Sequence, residues 1–214
     1  FGRFRGRLST ARVSFTAMFV TLEGPEGAGK TTLARELALR LESKGRHVLM
    51  TREPGAGTFG QTLRELLLHG DRLPPVTELL LFLTDRSHHV ARIVRPALAR
   101  GVVVLCDRFT DSTVVYQGYA RGFDLDWLRS LNQFATAGLI PDRTLLIDLE
   151  VEIGLARVKE PDRLDAESIE FHRRVRDGFL KEASLDPNRW RILDGSQPPQ
   201  AVAAEAWEAM RDLL

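Results

Sequence analysis

Residues Gly24–Thr32 read GPEGAGKTT: a glycine, four residues, then Gly-Lys-Thr. This is the pattern of a phosphate-binding loop joining a strand to a helix. Gly24, Gly27 and Gly29 let the backbone turn tightly and offer its N–H groups to phosphate oxygens. The helix that follows aims its positive dipole end at the same point. Lys30 adds a cation for the β- and γ-phosphates, and Thr31 a hydroxyl for Mg²⁺. Such a loop holds a nucleotide but leaves the acceptor of the phosphate open.

The segments around it alternate short apolar runs with longer helical patterns, as in a parallel sheet flanked by helices. Candidate strands are Phe19–Leu22, His47–Met50, Val102–Cys106, Thr144–Leu149 and Arg191–Leu193. VVVLC is apolar throughout, as a strand buried on both faces should be. Thr31–Lys44 carries Leu33, Leu37 and Leu41 four apart, with Gly45 as terminator. Further helices are expected at about 59–69, 76–100, 126–138, 166–183 and 199–213, with Pro96 kinking or splitting the second of these. The fold expected is α/β: a doubly wound five-stranded parallel sheet, with ligands outside the carboxyl ends of the strands.

At 214 residues the chain suits one domain, residues 18–214. A net charge of +1 gives no reason to expect a nucleic-acid or membrane surface, and no apolar run approaches the roughly 20 residues a span needs. The single cysteine, Cys106, excludes an internal disulfide and fits a reducing cytoplasm. Residues 1–17 hold Arg3, Arg5, Arg7 and Arg12 and no acid; we read them as a non-native or over-extended start before Met18 and leave them out of the fold. The five histidines form no metal-ligand spacing.

No Asn/Thr-Lys-x-Asp guanine reader is present. Asp107-Arg108-Phe109 instead follows the third strand, placing Asp107 where it can face Mg²⁺ and phosphates, with Arg108 for a second anion. Arg52, Arg64, Arg86 and Arg108 all fall near the same sheet edge, and guanidinium groups suit a phosphate monoester. In LLLFLTDR, Phe82 and Arg86 share a helix face, offering a ring to stack on a base and a donor for its edge. Thr113 with Gln117, and Ser112 with Tyr116, have the same spacing after Asp107.

These residues together resemble the thymidylate kinase family in its bacterial form, from about Phe19 to Leu214. DRFTDSTVVYQGYARG carries most of the resemblance, supported by EGPEGAGKTT, TREPG, LFLTDR and RLDAESIEFHRRV in order. The resemblance implies Mg²⁺-dependent transfer of the ATP γ-phosphoryl group to dTMP, for dTTP synthesis, in a cytoplasmic homodimer. It implies that Gly24, Pro25, Glu26, Gly27, Ala28, Gly29, Lys30, Thr31 and Thr32 hold ATP, and that Thr31, Asp107 and Glu23 lie at the metal. Arg64 and Arg108 would hold the dTMP phosphate, and Phe82 would stack on thymine. Arg86, Thr113 and Gln117 would read its edge, while Tyr116 would crowd a ribose 2′-hydroxyl. Arg52 and Glu53 begin the turn lining the acceptor site. A lid is matched by RVKEPDRLD at 157–165, with Arg163 first candidate for its catalytic cation, ahead of Arg157 and Lys159, and Asp165 capping the next helix. The catalytic set is thus Lys30, Asp107, Arg108 and Arg163.

Two departures stand out: the usual Arg-Glu-Pro-Gly-Gly turn is loosened by Ala56, and the lid is short and poor in arginine. The alternatives are another nucleotide or deoxynucleoside kinase on this scaffold, or a nucleotide-binding regulator without turnover.

Overall fold

The structure, a computed structural model, describes residues 16–214. The arginine-rich start expected to stand apart from the fold lies, up to residue 15, outside the described residues. Five strands form one parallel sheet: β1 (Met18–Glu23), β2 (Val48–Arg52), β3 (Val103–Asp107), β4 (Arg143–Asp148) and β5 (Trp190–Asp194), in the order β2-β3-β1-β4-β5. Each falls within a few residues of its expected place. The central strands β1 and β3 are almost wholly buried, which suits their unbroken apolar runs.

The strand order reverses direction beside β1, and this opens a crevice at the carboxyl edge. Register then decides which residues meet there. Leu22 pairs with Asp107, and Asp107 with Arg52, so the ends of three strands lie side by side.

The helices are α1 (Lys30–Glu42), α2 (Gly57–Arg64), α3 (Pro75–His89), α4 (Arg95–Leu98), α5 (Thr110–Thr113), α6 (Leu125–Thr136), α7 (Val151–Arg157), α8 (Ile169–Leu185) and α9 (Pro199–Ala209). Wide π-type turns extend α2 to His69, α3 to Val94 and α5 to Ala120. Pro96 sits in the first turn of α4 but does not split the long expected helix: residues 75–98 run on helically, with the wide turn at Val90–Val94 changing the hydrogen-bond ladder just before it. Sequence reading does not find α7, whose seven residues are too few to show a period. It also misplaces one cap. Ser168, not Asp165, precedes α8 and accepts from the Phe171 N–H at 3.3 Å, while Asp165 accepts from the N–H of Asp162 at 2.8 Å.

The main core lies between the sheet, α1 and α9: Leu33, Leu37 and Leu41 pack with Val20, Leu105, Ile147, Val202 and Trp207. Gly45, at φ 78°, closes α1 in the left-handed conformation that glycine adopts freely. A second cluster joins α8 to Tyr116 and Trp190, and a third joins Phe19 and Phe109 to α4 and the turn before it.

Leu37 is fully buried on α1, whereas Leu39 is 62% exposed on the same helix. Leu37→Ala is expected to cost about 2–5 kcal/mol in urea unfolding, and Leu39→Ala less than about 0.5 kcal/mol, at unchanged denaturant slope.

Candidate active site

The glycine loop is pressed against α7. A Cβ on Gly27 would lie 1.9 Å from the Gly154 carbonyl oxygen, and one on Gly154 only 2.3 Å from that of Glu26. No side chain fits at either place, so two backbones touch and the loop's shape is fixed from behind. At its mouth Thr31 donates its hydroxyl to Asp107 Oδ2 at 2.8 Å. Lys30 is folded back, donating to the carbonyls of Gly24 (3.0 Å) and Pro25 (2.8 Å). Burial, aided by the charge of Arg108, lowers its pKa to about 8.

Two clefts meet at Lys30 and Thr31. The outer one is lined by Gly27, Ala28, Gly29 and Thr32 of the loop, with Arg157, Gly195 and Gln197 opposite. The inner one, of about 250 Å³, runs from Glu26, Asp107 and Arg108 past Arg52, Glu53 and Arg64 to Phe82, Arg86, Thr113, Tyr116 and Gln117. The segment after α7 covers it with Val158, Asp162, Leu164 and Asp165.

Arg108 takes a left-handed backbone at φ 68°, a strain of about 1–3 kcal/mol in a residue with a Cβ. Its guanidinium reaches Glu26 Oε1 (3.1 Å), Ser112 Oγ (3.3 Å) and the Gly24 carbonyl (3.2 Å), and lies 4.9 Å from the centre of the Tyr116 ring. Burial opposes its charge, yet Tyr116, Glu26 and Glu23 more than offset this and raise its pKa.

Glu26 accepts from Arg108 and from the Tyr116 hydroxyl, and His172 Nδ1 lies 3.2 Å from its other oxygen. Burial pushes Glu26 upward, but the His172 hydrogen bond and the charges of Arg108 and Lys30 win and hold it at about 2. His172 has acceptors at both ring nitrogens, the second being the Asp165 carbonyl at 3.3 Å. Burial works against its charge, and the bond to Glu26 reverses the balance, raising its pKa.

Glu23, expected near a metal, is fully buried and lines neither cleft. One oxygen accepts from the Phe109 N–H at 2.8 Å, the other from the Ser112 hydroxyl at 2.6 Å, which braces the corner carrying Arg108. Burial, together with the charge of Asp111, raises its pKa to about 7.

Farther in, Arg64 rests its stem on Gly55, where a Cβ would lie 2.8 Å from Arg64 Cδ. It donates to the Pro54 carbonyl at 3.0 Å, and burial and the nearby Arg52 both disfavour its charge. Ala56 gives the loosened turn its extended residue before α2, and Gly57 the first helical one. Arg86 is 2% exposed and donates Nε to Glu53 (2.8 Å) and one terminal nitrogen to Thr113 (2.7 Å) and Asn132 (2.6 Å). Its other nitrogen donates to the Phe109 carbonyl at 2.9 Å, so one of five N–H groups is left over. His89 bridges Glu53 and Thr51 at 2.7 Å each, fixing Glu53 in turn.

Arg163 is placed differently from its expected role. It donates to the Leu67 carbonyl (2.7 and 3.0 Å) and to buried Glu78 (2.5 Å), and lines neither cleft. Arg157, ranked behind it, lines the outer cleft, and Lys159 is exposed. Asn132, His89, His172 and Glu78 were not found from sequence; only Glu78 carried a signal, lying four residues before Phe82 and eight before Arg86 on one face of α3.

Residues 22–206 match the family model described as Thymidylate kinase. The chain is 53% identical to a thymidylate kinase of Synechococcus sp. strain JA-2-3B'a(2-13) over 92% of its own length and 96% of the relative's. It is 50% identical to one of Thermomicrobium roseum, over 92% and 95%. The crystal structure of the thymidylate kinase of Ehrlichia chaffeensis superposes with a TM-score of 0.78 at 32% identity, covering 91% of this chain and 99% of that one. The chain belongs to the thymidylate kinase family.

Proposed function

We propose that the two clefts divide the family's reaction between them: the outer holds ATP along the glycine loop, and the inner holds dTMP. The γ-phosphoryl group passes from one to the other, giving ADP and dTDP. The observation that carries this is the junction of the clefts at Gly27, Lys30 and Thr31, with Asp107, Arg52, Arg64, Arg86 and Arg108 on the inner side and Arg157 on the outer.

A phosphate monoester has a second pKa near 6, so dTMP arrives at neutral pH largely ionised and no general base is needed. Its reaction requires alignment and offset of repulsion. Arg64 and Arg108 hold the acceptor phosphate. Lys30 exchanges the Gly24 and Pro25 carbonyls for ATP phosphate oxygens. The Thr31 hydroxyl and Asp107 carboxylate, 2.8 Å apart, are the hard oxygen donors that Mg²⁺ takes, and ATP supplies others. When bound there the ion neutralises phosphate charge; Glu23 acts behind it, through Phe109 and Ser112.

In the inner cleft Phe82 stacks on thymine, the spare N–H of Arg86 donates to its 4-carbonyl, and Thr113 and Gln117 complete the edge. Tyr116, held by Glu26, crowds the sugar, and Arg52 and Glu53 shape the wall. Residues 157–165 act as a lid that excludes water. A homodimer is the assembly we expect.

Arg86→Ala should raise KM for dTMP at least about tenfold and leave KM for ATP within about twofold; an equal rise in both would remove Arg86 from the base site. Arg157→Ala should lower kcat by about 10²–10³. Arg163→Ala should lower thermal stability and change kcat far less, since its partner Glu78 is left buried without that charge. The opposite pattern in steady-state kinetics would return the lid cation to Arg163. A 24.0 kDa chain should scatter light as a particle of twice that mass.

A further inference from the structure

Glu78 lies at the start of α3, 1% exposed, and takes no direct part in either cleft. Its carboxylate nevertheless gathers three side chains from two distant parts of the fold, Gln117 and Arg121 at one turn and Arg163 after α7. Oε1 accepts from Arg121 Nε at 3.1 Å and from Gln117 Nε2 at 3.3 Å; Oε2 accepts from Arg163 at 2.5 Å. An ion-paired carboxylate accepts hydrogen bonds and donates none. The end of the Gln117 amide beside it must therefore be the NH₂. Gln117 Oε1 is left as the free end, and among the described residues nothing donates to it, while Gln117 itself lines the inner cleft.

We propose that Glu78 is a specificity-determining positioning residue: by holding the NH₂ of Gln117 it presents the amide oxygen to the base, and so selects a pyrimidine carrying an N3–H. This rests on the reading of the inner cleft as the base site. The amide oxygen and the spare N–H of Arg86 then form an acceptor–donor pair. Thymine answers with a donor at N3 and an acceptor at C4. A cytosine ring offers the reverse at both atoms and sets lone pair against lone pair at N3. If the Gln117 amide turned over, its NH₂ would meet the cytosine N3 well, and one element of discrimination would be lost. The carboxylate prevents that turn because its two oxygens offer no donor to a flipped carbonyl, and Arg121 and Arg163 hold it in place.

The test uses Glu78→Gln, whose own amide can pair with Gln117 in either orientation. Its substrates are dTMP and 5-methyl-dCMP, which share methyl, sugar and phosphate and differ at N3 and C4 alone. The ratio of their kcat/KM values is expected to fall at least about tenfold, with KM for ATP within about twofold of the wild type. A ratio unchanged within about twofold in the folded variant would overturn the proposal. If that variant does not fold, Glu78→Asp is held to the same ratio: it keeps the charge facing both arginines and withdraws the carboxylate from Gln117 by one methylene. Gln117→Ala separates the two levels. Loss of dTMP activity there with an unchanged ratio in the Glu78 variants overturns the role of Glu78 alone, whereas full activity on dTMP overturns the base site itself.

Discussion

Like charges held close together are the constraint from which this site is built. Lys30, Arg52, Arg64 and Arg108 share one cleft, and burial and mutual repulsion disfavour the charges of Lys30 and Arg64. Such a cluster is stable only if acids are set among it. Glu26 does this for Arg108, and is itself held ionised, against its burial, by the bond to His172. Under the proposed division of the clefts, the anions of the two substrates would supply the remaining counter-charge. Phosphate binding as proposed would relieve a repulsion already present in the fold and leave the cations available to the charge that develops in transfer.

The same principle governs the Arg86 end of the inner cleft, with hydrogen bonds in place of charge. Arg86 would be a long, freely rotating donor on an open helix. Glu53, Thr113, Asn132 and the Phe109 carbonyl take four of its N–H groups and leave one direction for the fifth. Glu53 is held in turn by His89. Each group at the cleft wall is thus fixed by a second layer behind it, and side-chain entropy that a ligand would otherwise have to remove is lost at folding instead.

Features set by local chemistry were legible in the sequence. The strands showed as apolar runs, the loop as spaced glycines, and the shared face of Phe82 and Arg86 as a four-residue step. The rest depends on distant partners. His172 and Glu26 are 146 residues apart, and Arg86 and Asn132 are 46 apart, so no window contains both members. Helix α7 was missed because it is short and because Gly154, which reads as a helix breaker, is there to let the glycine loop approach. Arg163 shows the limit most clearly. A basic residue in an expected lid reads as a catalytic cation, yet Glu78, 85 residues away, supplies a buried carboxylate that claims it.

That claim changes how the segment after α7 can work. Its far end is tied down at several points: Arg163 to Leu67 and Glu78, the Arg163 N–H to Leu68, and the Asp165 carbonyl to His172. Its near end carries Arg157 at the outer cleft. Buried charge pairs are costly to break, so a closing motion would be confined to the residues between these anchors. Of those residues, Val158 and Asp162 line the inner cleft. The anchored end meets Gln117 at one end of the inner cleft through Glu78 and the glycine loop at the other through His172 and Glu26, so both ends of that cleft bear on the same short stretch of chain.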